Sequence, residues 1–394
     1  MNERMATVME VIFWVCCVLV VYVYITYPVL VGLLAWLFPR KTEYQAKSVP
    51  SVSLLISAYN EGAVIADKLE NSLLLDYDAD LLEIIVVSDS SDDNTDEIVR
   101  SFADRRVKLI RQSPRKGKSS GLNLAVQEAR GQILIFSDAN AIYKADAIQQ
   151  LVHHFSSPSV GYVVGNARYV DKSSPTPSGE AEGLYWKLET WMKKKESIFE
   201  SVVGGDGAIY AIRHELYSPL RSTDINDFVN PLQIIDDGFR GLFEVGAVSY
   251  EDTAESFEKE FRRKVRIVSR SLNALRRVPG VLNPFRNRRH WLLLVSHKLL
   301  RWLMPFFLLS ILVSSVFLWQ SLFFRTVLFL QIVFYVLAGI GLIAPSARAA
   351  SRVVSLIYYF CLVNLASLIG CLKCFRGDLS ATWTPPRQSM QSKV

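Results

Sequence analysis

Acidic and basic side chains follow several short apolar runs in the first half of the chain. They stand in residues 58–61 (AYNE), 88–93 (SDSSDD), 115–118 (RKGK) and 137–140 (SDAN). Carboxylates hold divalent cations or accept hydrogen bonds from ribose and base, whereas lysine and arginine neutralise phosphate. If these four segments meet in the fold, they supply what a nucleotide diphosphate with a divalent metal requires.

The segment 137–140 has one acid where a cation site commonly has two. Asp138 is followed at Asn140 by an amide, which can bind a hard cation through its carbonyl oxygen but contributes no charge. A cation held by Asp138, two phosphates and water is feasible, with lower affinity than two carboxylates would give. The alternative is that Asp138 only caps a turn after a strand. The agreement of four segments favours the functional interpretation.

The elements that must position these side chains are strands alternating with helices. The predicted strands are residues 52–57, 83–89, 107–112 and 132–138, and the predicted helices lie near 63–74, 94–103, 119–129 and 146–155. Continuous apolar strands between helices are typical of a parallel sheet covered on both faces, where ligands bind beyond the carboxyl ends of the strands. The sequence has no glycine-rich phosphate loop, which argues against kinases and dehydrogenases.

Half of the 394 residues are apolar, and they are concentrated towards the two ends of the chain. The segments of membrane-spanning length are residues 9–38, 299–319, 326–344 and 353–372. By the positive-inside rule, Arg40 and Lys41 after the first segment, and Arg348 and Arg352 before the last, predict that the middle of the chain is cytoplasmic. The four segments contain few ionisable residues, which disfavours a carrier or pump.

The composition argues against several other kinds of site. The five cysteines lie in or beside the apolar segments, without metal-ligand spacing or a disulfide framework. His290 and His297 lie near the predicted membrane edge, and no histidine pair suggests a zinc site. The net charge of +6 suits a membrane surface, whereas the basic segment 113–120 (SPRKGKSS) lacks the interleaved aromatic residues of a nucleic-acid site. We therefore expect membrane lipid, and no nucleic acid, among the partners.

The short polar motifs and the apolar segments follow one another in a characteristic order. In this order the sequence resembles the family 2 glycosyltransferases, in particular the membrane-integrated branch that contains cellulose, chitin, hyaluronan and poly-N-acetylglucosamine synthases. The resemblance covers nearly the whole chain. It implies an α/β GT-A fold (Rossmann-like, with a mostly parallel sheet) for a cytoplasmic domain, together with α-helical transmembrane segments in the cell membrane, expected to be a bacterial inner membrane. It also implies an inverting transfer of sugar from a nucleotide-sugar donor, expected to be a UDP-sugar, with Mg²⁺ or Mn²⁺ as cofactor. The acceptor would be a growing or lipid-linked saccharide for cell-surface polysaccharide synthesis.

The resemblance implies roles for individual residues. The residues implied to bind the donor are Tyr59, Asn60, Glu61, Asp89, Lys118, Asp138, Arg263 and Arg266. Tyr59, Asn60 and Glu61 would begin the nucleotide pocket. Asp89 would hold uracil or ribose, and Lys118 would lie near the uracil or the phosphates. Asp138 and Asn140 would be the metal ligands.

Another acidic segment, residues 224–240 (DINDFVNPLQIIDDGFR), offers a general base. The family has its base in a short acidic motif ahead of a helix, and Asp227 matches that motif best. An inverting transfer needs one base to take the proton of the acceptor hydroxyl. Asp224 is the local competitor, and the structural alternative for Asp227 is an acid that favours a helix N-terminus. Upstream, the glycines of residues 203–213 (VGGDGAIYAIR) permit close backbone approach, and Asp206 either contacts the acceptor or shapes a tight turn.

A basic segment, residues 260–270 (EFRRKVRIVSR), aligns with the Gln-Arg-x-Arg-Trp motif of the family's synthases. Arg263 and Arg266 would neutralise the departing diphosphate. The glutamine is absent and Ile267 replaces the tryptophan, which puts processive synthesis in doubt but not transfer. The alternative is an amphipathic helix whose basic face meets lipid headgroups. Both interpretations hold if Arg266 faces the site while Arg262 and Arg270 face lipid.

The expected organisation is a transmembrane helix in 1–48, a GT-A catalytic domain in 49–254, interfacial helices in 255–298, three transmembrane helices in 299–375 and a tail in 376–394. Three alternatives to a polysaccharide synthase stay open. They are an enzyme that transfers a single sugar to a polyprenyl phosphate or other lipid, a non-catalytic scaffold that senses nucleotide, and a translocation component. Four spans are few for a roomy pore, so a homo-oligomer or an export partner is to be considered.

Overall fold

The computed structural model describes residues 3–45, 49–170, 177–252 and 257–379. The strands are β1 (Val52–Ala58), β2 (Leu82–Asp89), β3 (Val107–Gln112), β4 (Ile133–Asp138), β5 (Ile142–Tyr143), β6 (Val160–Val170), β7 (Tyr210–Arg213) and β8 (Arg240–Asp252). The helices of the sheet region are α3 (Ile65–Leu73), α4 (Thr95–Ser101), α5 (Lys118–Glu128), α6 (Ala147–His153), α7 (Pro177–Phe199) and α8 (Asn226–Asp236). The remaining helices are α1 (Glu3–Val21), α2 (Tyr27–Leu37), α9 (Phe257–Arg277), α10 (Arg288–Leu294), α11 (Leu300–Phe317), α12 (Leu322–Ile343), α13 (Pro345–Ala350) and α14 (Arg352–Arg376).

The strands form one sheet in the order β3-β2-β1-β4-β7-β6-β8-β5. The first four are parallel neighbours, whereas β7 runs antiparallel to both β4 and β6. β8 then pairs parallel with β6 and antiparallel with β5. The four predicted strands and the four helices that follow them are present, so the prediction of a mostly parallel α/β sheet is confirmed.

Both faces of β1, β2 and β4 are buried, which explains why their sequences are mostly apolar, whereas the edge strand β3 is only partly buried. Successive side chains of a strand point to opposite faces. In β1, Leu54 and Ile56 therefore join one core cluster while Leu55 joins the other, and in β4 Ile135 and Phe136 divide in the same way. Burial of each such side chain contributes about 1.5–3 kcal/mol. This core fixes the strands and leaves their polar carboxyl ends at one edge of the sheet.

Within the described ranges, four helical segments are long and apolar enough to cross a membrane. They are Glu3–Leu37, Arg288–Phe317, Leu322–Ile343 and Arg352–Arg376. The first and second each contain a π-helical turn, at Tyr22–Thr26 and Val295–Leu299. The second segment begins at Arg288 rather than at residue 299, because the helix runs on from α10 through its π-helical turn into α11. The predicted boundary followed only the apolar run and missed the polar first turns of this helix.

The amphipathic helix α9 packs along α14, and this contact corrects one expectation. Arg262 is exposed, as a lipid-facing residue should be, but Arg270 is buried with 8% of its surface exposed. Arg270 therefore does not face lipid headgroups, because the fold covers that side of α9. Among the predicted boundaries, residues 46–48 and 253–256 and the tail from residue 380 lie outside the described residues.

Candidate active site

The turn after β1 holds Tyr59, Asn60 and Glu61, the predicted start of the nucleotide pocket. Asn60 has a left-handed φ of +52°, which asparagine tolerates better than most residues. Its Oδ1 accepts a hydrogen bond from the amide of Asp92 at 3.0 Å, so the ends of β1 and β2 are tied together. The guanidinium of Arg115 lies 3.4 Å from the centroid of the Tyr59 ring, a cation–π stack. This turn therefore offers a flat surface on which a nucleobase can lie.

Asp89, at the end of β2, organises the loop that leads from β3 to α5. Its carboxylate accepts hydrogen bonds from the amides of Lys116 at 2.9 Å and Gly117 at 3.0 Å, and from the side chain of Gln112. It also lies 3.4 Å from Nε of Arg115. With only 6% of its surface exposed, Asp89 has its oxygens largely engaged within the chain. Its direct contact with uracil or ribose stays a prediction.

Lys118 and Asp138 form an ion pair at the centre of this sheet edge, with Nζ 2.5 Å from Oδ1. A Cβ built on Gly207 would lie 3.8 Å from Lys118 Nζ, 3.6 Å from Asp138 Oδ2 and 3.5 Å from Asp227 Oδ2. Three residues predicted for the site thus surround the backbone of Gly207, although they come from the start of α5, the end of β4 and the start of α8. We call the space between them the central gap. It stays open because residue 207 has no side chain.

Asp227 lies in the first turn of α8, but it does not cap that helix. Its Oδ1 is buried, and no residue within the described ranges forms a hydrogen bond with it. Burial raises the pKa of Asp227, and the positive charge of Lys118 opposes this effect. The carboxylates of Asp206 and Asp138 raise the pKa further. The other carboxylate oxygen, Oδ2, faces the central gap, which is the position that a general base requires.

The other acids of the same segment are committed elsewhere. Asp224 is buried in an ion pair with Arg277, and its Oδ2 accepts a hydrogen bond from the Arg221 amide at 2.7 Å. Asp236 is paired with Arg286, with 3.0 Å between Oδ1 and Nη1. These contacts favour Asp227 over its competitor Asp224 as the group that can accept a proton.

Arg266 lies close to the same carboxylates from the side of α9. Burial lowers the pKa of Arg266 to about 10, and the neighbouring Arg270 and Arg263 act in the same direction. The negative charges of Asp138 and Asp227 oppose this lowering, which locates Arg266 within electrostatic reach of the central gap. A buried guanidinium in that place can stabilise negative charge that develops on a leaving diphosphate.

Arg263 is held differently from Arg266. Its Nε lies 2.8 Å from Oε2 of Glu260, one turn earlier on α9. Burial raises the pKa of Glu251 to about 8, and Asp138 and Asp206 add smaller effects in the same direction. The positive charge of Arg263 opposes them. Arg263 is thus within electrostatic range of the site, but part of its charge is neutralised by Glu260.

Two ionisable residues beside the site have no signal in the sequence. Glu251 lies near the end of β8, and only the pairing of β8 with β5 brings it beside the turn after β4. Lys68 of α3 is completely buried beneath that turn, where its Nζ donates to the Ala141 carbonyl at 2.5 Å and lies 3.8 Å from the centroid of the Tyr143 ring. Burial lowers the pKa of Lys68 to about 7. Both residues were missed because an isolated charge on an amphipathic element is typical of a solvated face.

The residues present fit a divalent cation only in part. Among the described residues, no group of three or more His, Cys, Asp or Glu side chains could hold a metal ion. Asp138 directs Oδ2 towards the central gap while Oδ1 contacts Lys118. Asn140 is half-buried two residues further along the chain. This donor set suits a cation whose remaining ligands are phosphate and water oxygens, as predicted for Asp138 and Asn140.

The packing of α14 against α9 predicts how the membrane helices influence Arg266. A Cβ built on Gly370 of α14 would lie 2.8 Å from Cβ of Val268 and 3.0 Å from the carbonyl of Val265, so Gly370→Ala must push α9 away. We expect this substitution to lower nucleotide release from a sugar donor by about tenfold, since overpacking typically costs 1–3 kcal/mol. Gly339→Ala in α12 is the matched control, because a Cβ there meets no atom within 4 Å. Equal rates for the two variants would show that α9 does not depend on this contact.

Comparisons with known proteins identify a matching family and similar sequences. Residues 53–217 match glycosyl transferase family 2. A probable glycosyltransferase of Bacillus subtilis (strain 168), YdaM, is 29% identical over 241 residues, which cover 56% of this chain and 55% of that protein. The poly-β-1,6-N-acetyl-D-glucosamine synthase of Staphylococcus epidermidis is 33% identical over 136 residues, 34% of this chain and 32% of that protein. The chain therefore spans about half, or a third, of the length of the curated relatives it matches.

A solved structure matches nearly the entire fold. It is a mannosyltransferase of Pyrobaculum calidifontis in complex with GDP-Man and Mn²⁺, with a TM-score of 0.69 and 19% sequence identity. The match covers 92% of this chain and 99% of that one, so it includes the apolar helices as well as the sheet. The predicted fold class, a GT-A domain together with helices that are long and apolar enough to span a membrane, is confirmed.

Proposed function

We propose that this chain, whose residues 53–217 are a family 2 glycosyltransferase domain, is an inverting glycosyltransferase that acts at a membrane surface. Its donor is a nucleotide-sugar, most simply a UDP-sugar, and its acceptor is a growing or lipid-linked saccharide of the cell surface. The sheet domain lies on the cytoplasmic side, in keeping with the basic residues that flank the apolar helices.

The observation that carries this proposal is the central gap. Lys118, Asp138 and Asp227 surround Gly207, and Arg266 is within electrostatic reach of the same space. Positive groups for a diphosphate and one carboxylate oxygen at the gap, Oδ2 of Asp227, are what an inverting sugar transfer requires. The family match ends at residue 217, so the roles of Asp227 and Arg266 rest on this geometry rather than on the match.

In the proposed reaction the acceptor hydroxyl attacks the anomeric carbon of the donor. The bond from that carbon to the diphosphate breaks, and its electron pair leaves with the diphosphate. Asp227 accepts the proton of the hydroxyl, while Lys118 and Arg266 neutralise charge on the leaving group. A divalent cation, Mg²⁺ or Mn²⁺, held by Asp138 with Asn140 would add positive charge at the same place. No covalent intermediate with the chain is needed, so one base is sufficient.

A second candidate, transfer of a single sugar to a polyprenyl phosphate or other lipid, is favoured by one specific observation. Ile267 occupies the position at which the synthases that the sequence resembles have a tryptophan. The solved structure that matches the whole fold is named a mannosyltransferase rather than a polymerase, which supports the same candidate. The size of the product distinguishes the two candidates, because a polymerase elongates one acceptor repeatedly.

Release of nucleotide diphosphate by the detergent-solubilised protein tests the proposed function. We expect one donor among UDP-glucose, UDP-galactose, UDP-GlcNAc, UDP-GalNAc, UDP-glucuronate and GDP-mannose to be turned over with Mn²⁺ or Mg²⁺ and not with EDTA. Membrane lipid extract serves as the source of acceptor. Binding of UDP or GDP without turnover of any donor would instead support a non-catalytic nucleotide sensor.

A further inference from the structure

Among the described side chains, three charged residues on one face of α7 and a fourth directly after the helix are almost completely buried. They are Glu189, Lys193, Glu196 and Glu200, with 5%, 9%, 0% and 6% of their surfaces exposed. Their spacing of four, three and four residues aligns them along one side of the helix. We call this set the α7 stripe. Burial of charge is costly unless each group is paired, so the partners of the stripe indicate what it is for.

On one side, the α7 stripe binds the first two membrane-crossing helices. Oε1 of Glu196 accepts a hydrogen bond from the Tyr27 hydroxyl at 2.5 Å and lies 2.6 Å from Nδ1 of His297. The other imidazole nitrogen of His297 is in ion-pair contact with Glu189, 3.0 Å from its Oε1. The side chain of His297 is 1% exposed. One histidine thus bridges two carboxylates of α7 from within the second membrane-crossing segment.

Glu189 also binds Lys298 and Arg301 of that segment, at 3.2 Å and 3.0 Å. Burial by itself raises the pKa of Glu189, but His297, Lys298 and Arg301 together hold it well below its usual range. Glu189 is therefore an anchor between α7 and the second membrane-crossing segment.

Both membrane helices are locally distorted where they meet the stripe. The π-helical turn at Tyr22–Thr26 comes directly before Tyr27, and His297 lies inside the turn at Val295–Leu299. The two turns contact each other, with the Tyr22 hydroxyl 2.8 Å from Oγ of Ser296. Single π-helical turns are rare and occur frequently at functional sites. Each turn changes the direction of the side chains that follow it, which presents Tyr27 and His297 to Glu196.

On its other side, the α7 stripe holds the loop of residues 203–207. The amide of Val203 donates to Oε2 of Glu196 at 3.4 Å, and Lys193 Nζ lies 3.5 Å from Asp206 Oδ2. The next contact in the chain leads to the predicted base, because the amide of Gly205 donates to the backbone carbonyl of Asp227 at 2.5 Å. Glu196 therefore binds both membrane helices and the loop beside the central gap.

We propose that Glu196 and His297 are positioning residues that set the 203–207 loop against Asp227, and that acceptor engagement depends on them. The inference rests on the proposed function for its consequence, since Gly207 of this loop lies beside Lys118, Asp138 and Asp227. His297 acts through Glu196, and Glu196 acts through the loop. The membrane helices therefore influence the acceptor site indirectly. The contacts of Tyr27 and His297 are with Glu196 and Glu189, not with the residues of the central gap.

Two substitutions of His297 separate positioning from simple packing. In His297→Asn the side-chain amide can take the place of Nδ1 and keep the contact with Glu196. In His297→Gln the amide can take the place of Nε2, so it reaches Glu189 but leaves Glu196. Both variants are polar and smaller than or similar in size to histidine, so they differ chiefly in which carboxylate they reach.

Hydrogen exchange of the purified full chain, followed by mass spectrometry, measures directly how well the backbone amides of the 203–207 loop are protected. We expect amide exchange in the peptide covering residues 202–207 to be about tenfold faster in His297→Gln and near the wild-type rate in His297→Asn, because one hydrogen bond to a charged group is lost in the first variant only. Glu189→Gln is the control for weaker docking of α7, and we expect it to leave loop exchange unchanged. Identical loop exchange in the two His297 variants would overturn the inference.

Turnover provides the second readout. With the donor identified by the screen, we expect His297→Gln to increase the fraction of nucleotide released without sugar transfer to membrane lipid extract, while UDP or GDP binding is retained. A merely structural role would lower both the release and the binding together. If the wild type turns over no donor, the proposed function fails but the exchange experiment still decides the positioning role.

Discussion

Replacing Asp227 by asparagine is expected to lower the rate of sugar transfer by roughly 1,000-fold, within the range that a positioned general base contributes. Asparagine has nearly the same size, but it cannot accept the proton of the acceptor hydroxyl. Nucleotide binding should persist, because Lys118 and Asp138 keep their ion pair and the backbone contact of Asp227 with Gly205 involves no side chain. The measurement is the single-turnover rate of transfer, with UDP or GDP affinity determined on the same preparation.

The matched control is Asp224→Asn, three residues earlier in the same segment. Asp224 is buried in an ion pair with Arg277, so its neutralisation leaves the guanidinium without its partner and should lower the unfolding temperature. The single-turnover rate of the protein that remains folded should stay within a few-fold of the wild type. The opposite pattern, an inactive Asp224→Asn and an active Asp227→Asn, would transfer the role of base to Asp224.

The parallel part of the sheet was predictable because its physical signal is local. β1, β2 and β4 are apolar at most successive positions, a pattern that a strand buried on both faces requires, whereas the edge strand β3 is only partly buried. Residues at the ends of parallel strands must share an edge, which is why Tyr59, Asp89 and Asp138 were expected to be neighbours. The antiparallel strands β5 and β7 are short and amphipathic, so neither their pairing nor the position of Glu251 could be foreseen.

The electrostatic partners were not predictable, because they depend on long-range packing. The charges of α7 resemble a solvated helix face in sequence, yet Glu196 is completely buried against His297 and Tyr27. His297 was expected near the membrane edge, but the carboxylates that bind it are far away in the chain. The ion pair between Lys118 and Asp138 was also unexpected, since both residues had been predicted to bind the donor and not each other.

The second large effect is on metal-dependent nucleotide binding. It is expected when a negative charge is removed at Asp138 or added at Asn140, the two predicted metal ligands. Asp138→Asn is expected to abolish Mn²⁺-dependent binding of the nucleotide, because it removes the charge of the predicted carboxylate ligand, whose Oδ2 faces the central gap. Asn140→Asp should instead raise the affinity for Mn²⁺ with UDP or GDP by about tenfold, as expected for a second negative charge close to a divalent cation. Calorimetric titration of UDP or GDP with and without Mn²⁺ measures both effects independently of turnover.

Asp92→Asn supplies the control for charge alone in this experiment. Asp92 is exposed on the neighbouring strand end, so its neutralisation removes the same unit of charge from the same edge of the sheet without removing a predicted ligand. Its effect on Mn²⁺-dependent binding should be small, because water and salt screen exposed charges. If Asn140→Asp leaves Mn²⁺ affinity at the wild-type value while Asp138→Asn abolishes it, the cation is held by Asp138 and the diphosphate without residue 140. If Asp138→Asn also leaves it unchanged, Asp138 serves only to hold Lys118 in place.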